Sequence, residues 1–288
     1  MSIKTIGQIK KGIKSIEKTR QFEKESLVHI EKFFRFSLNV KRSAKKRIET
    51  APAFSGDCKE KIEKGEHLAD FSKIKINDNF LLDKFHKICE IRAEINAKEM
   101  EEIQKMKKAI DNEKIDFSKI QQNLARGKIR YFDTLSKKIG VGKELLHSIA
   151  LAVYKPIFEL TVEEKKDLIE DYVWEKGSCP MCGTNPGMAK LEKEVGRRLL
   201  WCPLCSSEWV YRRMKCPFCE NDEQKSLRFF YVDDDSFYRV DVCETCKGYV
   251  KTIDERKRGK EEKTIFEIED IKTFYLDDIA LKEGYKKI

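Results

Sequence analysis

The sequence lacks the motifs of several large enzyme classes. It contains no phosphate-binding loop of the GxxxxGK[ST] or GxGxxG kind, no GxSxG nucleophile elbow, and no carboxylate pair placed as for acid–base catalysis. An active centre would therefore have to consist of metal ions or free thiols. We accordingly predict that the protein is not an enzyme and has no catalytic residues.

Long apolar runs are also missing. No run reaches the roughly 18 residues that a membrane helix requires. The N-terminal segment MSIKTIGQIKKGIKSIEKTR is basic but lacks the apolar core and cleavage site of a secretory signal. We therefore expect a cytoplasmic protein without a membrane span, in which cysteines stay reduced. Disulfide bonds are the alternative to metal for these cysteines.

Histidine is scarce, and the charges are mixed. The four histidines (His29, His67, His86 and His147) are scattered, and none follows His147 to complete a metal site in the second half. The net charge of +9 comes from 59 Lys and Arg against 50 Asp and Glu. A net charge of this size is compatible with an anionic partner but does not by itself predict one.

Cysteine, in contrast, is abundant and regularly spaced. Eight of the ten cysteines form four Cys-x-x-Cys pairs. One such turn brings two sulfurs to one ion, and two turns complete a tetrahedral shell of four thiolates. The predicted metal ligands are Cys179, Cys182, Cys202, Cys205, Cys216, Cys219, Cys243 and Cys246. Sequential grouping gives two sites, and a cross-braced grouping of alternate pairs is the alternative.

Two metal ions per chain are therefore predicted, either iron or zinc, because thiolates accept both. A closed shell of four cysteines favours a structural role, whereas iron would add redox activity. The two remaining cysteines lie outside the pairs. We expect Cys89 to be a buried apolar residue on a helix and Cys58 to be a free thiol in a polar loop.

The composition changes near residue 175 and predicts an α + small β fold. Residues 1–172 are predicted to form an all-helical domain, 173–213 a first four-cysteine metal ribbon, and 214–288 a second ribbon with a C-terminal tail. The ribbons are expected to be tandem rubredoxin-like or zinc-ribbon-like modules. No cofactor other than the metals is predicted.

Periodicity predicts four helical stretches in the first half. Isoleucines from Ile3 to Ile16 recur at helical spacing, and a single long helix is predicted from Leu81 to Ile110. A third helix from Leu145 should be kinked or ended by Pro156. Thr161 and Glu164 resemble a capping box that opens a further helix toward Tyr172.

Strand signals dominate the second half. The runs 227–232 and 238–242 are rich in aromatic and β-branched residues and predict one hairpin with its turn at 233–236. Residues 257–263 read as a solvated loop. The tail from Thr264 is expected to form a strand and then a helix.

A basic and aromatic stretch surrounds the second and third cysteine pairs. Its members are Arg197, Arg198, Trp201, Trp209, Tyr211, Arg212, Arg213 and Lys215. Such a patch can bind nucleic acid through phosphate contacts and base stacking. We favour the interpretation that the aromatic residues pack inside the ribbon while the cations stay solvated, which makes a nucleic-acid partner an alternative only.

The order of motifs in the second half resembles one known family. The pattern runs W-x-x-G-x-C-P-x-C-G-x-x-P, G-R-x-L-x-x-C-x-x-C-x-x-E-W, R-x-K-C-x-x-C and C-x-x-C-x-x-Y-x-K. Its residues here are Trp174, Gly177, Cys179, Pro180, Cys182, Gly183, Pro186, Gly196, Arg197, Leu199, Cys202, Cys205, Glu208, Trp209, Arg213, Lys215, Cys216, Cys219, Cys243, Cys246, Tyr249 and Lys251. Together with the tail, they resemble the formate dehydrogenase accessory proteins of the FdhE family.

The resemblance implies a cytoplasmic assembly factor with rubredoxin-like metal centres. Such a protein would bind the catalytic subunit of a formate dehydrogenase before its export by the twin-arginine route and support its maturation. Two alternatives stay open from the residues themselves. One is a rubredoxin-like iron protein that passes electrons to a client enzyme, and the other is a nucleic-acid-binding zinc ribbon.

Overall fold

A computed structural model of the chain describes residues 3–163, 165, 174–232, 236–259 and 263–288. It confirms a helical first part followed by a sheet-containing second part with two four-cysteine groups. The helices of the first part are α1 (Ile6–Glu17), α2 (Lys24–Ala44), α3 (Cys58–Glu63), α4 (Asp78–Ile95), α5 (Met100–Asp111), α6 (Phe117–Ala125), α7 (Ile129–Ile139) and α8 (Lys143–Glu163). Two short strands, β1 (Ile48–Glu49) and β2 (Lys75–Ile76), pair antiparallel between them.

Local sequence signals explain where several of these helices begin. Thr5 and Gln8 form a reciprocal capping box at the start of α1. The side chains of Asp57 and Asn77 accept hydrogen bonds from backbone N–H groups at the starts of α3 and α4. The isoleucine spacing is confirmed as an amphipathic helix, with Ile9 and Ile16 fully buried.

The prediction of one continuous helix from Leu81 to Ile110 is wrong. Helix α4 ends at Asn96, which has an extended backbone, and α5 starts at Met100 after a short 3₁₀ turn. The side chain of Asn96 accepts a hydrogen bond from the Lys98 N–H at 3.1 Å. Asparagine thus offers the backbone an alternative to helix hydrogen bonding, and α5 turns back to pack against α4.

Of the two outcomes predicted for Pro156, a kink or an end of the helix, the structure of α8 contradicts the end. Pro156 lies inside α8, and the helix continues for seven residues beyond that position to Glu163. The lost hydrogen bond is tolerated because the flanking residues Ile157, Phe158 and Leu160 are buried in the main core. Thr161 lies within the helix and donates a hydrogen bond to the Ile157 carbonyl at 2.9 Å, so it opens no new helix. The rest of the predicted helix, at 164 and 166–172, lies outside the described residues.

By length and composition, α8 is the one helix among the described residues that is apolar enough to cross a membrane. Most of its apolar stretch is buried inside the protein, and the core helix of a globular domain passes the same test. Packing against α2, α4, α6 and α7 makes it the central helix of the helical part.

The strands of the second part form a single six-stranded sheet. Its strands are β3 (Met188–Leu191), β4 (Arg198–Trp201), β5 (Glu208–Val210), β6 (Leu227–Tyr231), β7 (Tyr238–Cys243) and β8 (Tyr249–Asp254). Their order in the sheet is β5-β4-β3-β8-β7-β6, antiparallel throughout except for the parallel pair β3–β8. The predicted hairpin is confirmed as β6–β7, although residues 233–235 of its turn lie outside the described residues.

The parallel pair joins the two ribbons. Met188 to Leu191 lie in register with Lys251 to Asp254, so each three-stranded ribbon covers one edge of the other. Pairing of these edges removes unpaired backbone groups from both ribbons. The domain boundaries at 172/173 and 213/214 stay predictions.

The tail differs from the predicted strand and helix. Two helices follow Thr264, namely α9 (Phe266–Lys272) and α10 (Phe274–Lys282). Helix α10 buries Leu276 and Ala280 against the sheet. Helix α9 approaches α1 closely, since a Cβ atom at Gly12 would lie 2.5 Å from Cδ1 of Ile268. The tail therefore ties the sheet to the first helix of the chain.

Candidate metal centres

The four Cys-x-x-Cys pairs adopt one repeated backbone turn. In each turn, the N–H of the first cysteine donates to the carbonyl of the residue five positions later, at 2.8–3.0 Å. The N–H of the residue after the second cysteine donates back to the carbonyl of the first cysteine, at 2.8–3.1 Å. The pattern holds for the turns that begin at Cys179, Cys202, Cys216 and Cys243. Local hydrogen bonds therefore preorganise each pair of sulfurs.

A left-handed residue closes every turn. Its φ is +80° at Gly183, +57° at Ser206, +60° at Glu220 and +57° at Lys247. Glycine occupies this position in the first turn, and the other three turns adopt the same conformation without glycine. A non-glycine residue in this region costs roughly 1–2 kcal/mol, which the surrounding structure must offset.

The turns come together as two groups of four sulfurs. Within each group, the Sγ atoms all lie within 4.8 Å of one another, and the closest pairs are 3.5–3.7 Å apart. A tetrahedral ion with bonds of about 2.3 Å places its sulfur ligands about 3.8 Å apart. Each group can therefore hold one metal ion, and the grouping is sequential: Cys179, Cys182, Cys202 and Cys205 in the first group, and Cys216, Cys219, Cys243 and Cys246 in the second.

The first group is buried at the junction with the helical part. Backbone N–H groups of Leu68 and Ala69 donate to the carbonyls of Pro180 and Met181 at 2.9 and 2.8 Å. On the other turn, Lys155 of α8 donates to the Pro203 carbonyl at 2.5 Å. Both turns of this group are therefore held by the helical part, and Cys179, Cys202 and Cys205 belong to the main hydrophobic core.

The second group lies farther toward the solvent. Cys219 is exposed and Cys246 is half-buried, whereas Cys216 and Cys243 are buried. The N–H groups of Phe218 and Gly248 point at the sulfurs of Cys216 and Cys246, at 3.5 and 3.4 Å. Such N–H contacts favour the thiolate form, which is the form that binds metal.

The environments of the thiols differ within each group. Burial raises the pKa of Cys179 and of Cys205 well above the usual range. Burial also opposes ionisation of Cys202, but hydrogen bonds from the other three thiols outweigh it and lower the Cys202 pKa. At Cys243, backbone N–H groups and neighbouring thiols outweigh burial and lower the pKa to about 7. Metal binding must therefore release protons from the remaining thiols, and affinity should rise with pH.

The other candidate residues lie elsewhere. Cys89 is fully buried on α4, as predicted, and burial raises its pKa to about 12. Cys58 is half-buried at the first position of α3 rather than in a loop. Among the described residues, no histidine belongs to a metal-binding group.

The basic and aromatic stretch is divided between the core and the surface, and its cations Arg197, Arg212 and Arg213 are exposed. Trp201, Trp209 and Tyr211 are 2–3% exposed, which confirms that the aromatic residues pack inside. The expectation that all the cations stay solvated is wrong for Arg198, which is 4% exposed. Its guanidinium donates to the carbonyls of Arg212 and Lys215, and it thereby holds the segment that leads into the third cysteine pair.

Sequence reasoning missed a buried charge cluster beside the first group. Glu159 of α8 accepts ion pairs from Lys41 at 2.6 Å and from Lys155 at 3.1 Å. Ser206, the left-handed residue of the second turn, donates to Glu159 at 2.7 Å. No signal in the sequence distinguishes these charges from the many solvated ones, because only tertiary packing brings α2, α8 and the turn together.

Comparisons with known proteins agree with this arrangement. No protein-family model matches the sequence. The chain is 31% identical over 152 residues to a protein named Protein FdhE homolog from Aquifex aeolicus (strain VF5), with 52% of each chain covered. It is 30% identical over 120 residues to Protein FdhE of Escherichia coli O1:K1 / APEC, covering 41% of this chain and 37% of that protein. The match thus spans about half, or less, of the length of these relatives.

The fold is similar to that in the crystal structure of the FdhE protein from Pseudomonas aeruginosa. The TM-score is 0.65, and the superposition covers 100% of this chain and 95% of that chain at 17% sequence identity. At this level of identity the likeness concerns the fold. In partial sequence similarity, in fold and in its two four-cysteine groups, the chain is thus similar to proteins named FdhE.

Proposed function

We propose that this protein is a cytoplasmic accessory protein for the maturation of a formate dehydrogenase. In this proposal it binds the catalytic subunit before export by the twin-arginine route, and it acts by binding rather than by catalysis. The observation that carries the proposal is the pair of closed four-cysteine groups in an FdhE-type fold. Four thiolates leave no open coordination position for a substrate, which favours a structural metal.

The eight paired cysteines are the proposed ligands, and iron or zinc is the proposed metal. When bound, either ion would cross-link the turns of its ribbon. Small ribbons bury little apolar surface, so a metal supplies much of their folding free energy. The first group would then fix the sheet to the helical part through Lys155 and the segment at 68–69.

The junction between the helical part and the sheet is the proposed docking region. An apolar cleft of about 260 Å³ lies there between α2, α8 and α9. Its walls include Phe33, Phe34, Leu151 and Ala152, and Glu267 supplies a carboxylate at one side. Such a cleft fits an apolar side chain of the catalytic subunit with a hydrogen-bond donor close by.

A binding measurement with the purified catalytic subunit tests the proposal. We expect saturable binding by the wild-type protein and a loss of at least tenfold in affinity for Leu151→Glu. The matched control is Ile129→Glu, which places the same charge on α7 at a residue that is 59% exposed. Equal affinity of Leu151→Glu and the control would refute docking at this cleft. Absence of any binding by the wild type would refute the accessory function itself.

A redox function is the second candidate, and the exposure of Cys219 favours it. Electron transfer requires one edge of a metal centre to approach the surface, and Cys219 is the exposed member of its group. Metal analysis and a visible spectrum on anaerobically purified protein separate the candidates. Two irons per chain with thiolate-to-iron charge-transfer bands would support redox activity, whereas two zincs and a colourless solution would exclude it.

Burial of Trp201, Trp209 and Tyr211 weakens the nucleic-acid alternative, because stacking requires exposed aromatic faces.

A further inference from the structure

A second cleft lies on one face of the sheet beside the second four-cysteine group. Its volume is about 120 Å³. Apolar walls come from Pro217, Phe218, Leu227, Val242 and Val250, and Phe229 stands at the rim with 54% of its surface exposed. The cleft thus combines an enclosed apolar floor with an opening to solvent.

Positive charge is in excess around this cleft. Among the described residues that line it, five side chains are cationic and one, Asp241, is acidic. The cations are Arg198, Arg213, Lys215, Arg228 and Arg239. Asp241 is paired with Arg239 at 2.9 Å, and Lys215 is paired with Glu220 at 3.0 Å. These pairs leave the cleft with a net positive charge.

Two of the arginines are buried with an unused donor. Arg198 is 4% exposed and Arg239 is 7% exposed. In both side chains, Nε has no hydrogen-bond partner among the described residues. The remaining guanidinium contacts do not use this atom, because Nη2 of Arg198 binds two carbonyls and Nη2 of Arg239 binds Asp241. Buried N–H donors are almost always paired in folded proteins, so two unpaired ones beside a single cleft indicate a missing acceptor.

The register of the sheet places these two arginines on the same face. Arg239 is aligned with Thr252, Thr252 with Ala189, and Ala189 with Leu200. Arg198 lies two residues before Leu200 on β4 and therefore shares its face. Strands from both ribbons thus contribute one donor each, and the site exists only because β3 and β8 join the ribbons.

We propose that this cleft binds a carboxylate carried on a small apolar or aromatic group. A carboxylate in the cleft would be attracted by the excess of positive charge around it, and charge-assisted hydrogen bonds from arginine are strong. The apolar walls would receive the attached group. The cleft volume of about 120 Å³ is roughly the volume that four water molecules occupy in the liquid. This space accommodates a small organic acid but is too small for a nucleotide.

Charge balance for the second metal centre is the competing explanation of the same arginines. Four thiolates and one divalent ion carry a net charge of about −2, which nearby cations would stabilise. Among the described contacts, neither guanidinium hydrogen-bonds a cysteine sulfur. This arrangement favours an external acceptor over the thiolates.

The test is a titration of the metal-loaded protein with benzoate, followed through the ¹⁵Nε–¹H signals of its arginines. We expect saturable shifts of two buried arginine signals in the wild type. Arg239→Gln should weaken benzoate binding at least tenfold. The matched control is Arg197→Gln, which removes the same charge at the residue before Arg198. The Arg197 side chain pairs with Glu192 outside the cleft. The benzoate affinity of this variant should stay within twofold of that of the wild type.

Further probes define the ligand. A blocked peptide with one aspartate between apolar side chains distinguishes a protein acidic residue from a free small acid, and saturable binding of either one supports the proposal. Inorganic phosphate should bind more weakly than benzoate, because a hydrated dianion fits apolar walls poorly. Phosphate affinity equal to that of benzoate would overturn the assignment to a carboxylate.

Three other results would also overturn the proposal. The first is an absence of saturable shifts with both benzoate and the peptide. The second is a loss of benzoate affinity in Arg197→Gln that equals the loss in Arg239→Gln. The third is unchanged benzoate affinity in Arg239→Gln together with faster metal loss from the second four-cysteine group. The last result would assign the arginines to charge balance. If Arg239→Gln does not fold, the titration of the wild-type protein still tests the proposal. The proposal is also independent of the proposed function, because the cleft can bind a carboxylate whether or not the protein binds a formate dehydrogenase.

Discussion

Gly177 packs so closely against Pro217 that a Cβ atom at position 177 would overlap the Pro217 carbonyl oxygen. Gly177 lies just before the first cysteine pair, and Pro217 lies inside the third. This contact therefore couples the segment that leads into the first four-cysteine group to a turn of the second. It also explains physically why glycine is required here, because the neighbouring atoms belong to the backbone and cannot rotate away.

Gly177→Ala should accordingly destabilise the protein. Forced overpacking of a close contact costs typically about 1–3 kcal/mol, and here the strain falls on a metal-binding turn. We expect a lower free energy of unfolding and faster release of metal from the second group. Denaturant unfolding and chelator-trapped metal release measure the two effects. Gly259→Ala is the control, because a Cβ atom there meets nothing within 4 Å; equal behaviour of the two variants would contradict the role of this contact.

The two metal centres should differ in their response to cysteine substitution. Cys182→Ser and Cys219→Ser should each reduce the metal content from two ions to one per chain. The first variant should lower the free energy of unfolding more, because its group belongs to the main core and to the junction with α8. Metal analysis and denaturant unfolding of both variants, with Cys58→Ser as control, check this. A fall in metal content for Cys58→Ser would contradict the assignment of ligands.

The buried ion cluster should be pH-sensitive. The cations of Lys155 and Lys41, with hydrogen bonds, outweigh burial and lower the pKa of Glu159 from its ordinary value of 4.5. The stability that Glu159 contributes is therefore present above pH 4.5 and is lost as the pH falls through its folded pKa. At pH 7, Glu159→Gln should cost about 3 kcal/mol, because Lys155 loses its ion pair with Glu159 and Lys41 keeps only its ion pair with Glu163.

The difference in unfolding free energy between wild type and Glu159→Gln should shrink below pH 4.5. Acid loss of metal affects both proteins and so cancels in the difference. Glu144→Gln, at an exposed position of the same helix, should cost much less at either pH. A difference for Glu159→Gln that is equal at pH 7 and pH 4 would show that its ionisation does not stabilise the fold.

Cys89 should not react with alkylating reagents in the folded protein. Its pKa of about 12 leaves a negligible thiolate fraction at pH 8, and the side chain is fully buried. We expect intact mass spectrometry of the metal-loaded protein to show no modification of Cys89 with iodoacetamide until the protein is unfolded. Rapid modification under native conditions would mean that α4 opens locally on the time scale of the reaction.

Local patterns were sufficient to predict the eight cysteines that form the two four-cysteine groups. A Cys-x-x-Cys turn is a local structure whose hydrogen bonds stay within six residues, so the eight cysteines could be identified directly from their spacing. The β6–β7 hairpin and helix α1 were predicted for the same reason, since their periodicity and turns are local. The sequential grouping was favoured but not settled by the sequence, because both groupings use identical turns.

Features that depend on distant contacts could not be read from the sequence. The single sheet requires β3 to pair with β8, which lies some sixty residues later, and no local signal specifies that partner. Helix α8 continues through Pro156 because the core around it outweighs one lost hydrogen bond. Arg198 and Arg239 line one cleft only when the two ribbons join. The amino-acid sequence by itself thus determined which cysteines are candidate metal ligands, whereas tertiary packing decided how the two four-cysteine groups are joined and which charges are buried beside them.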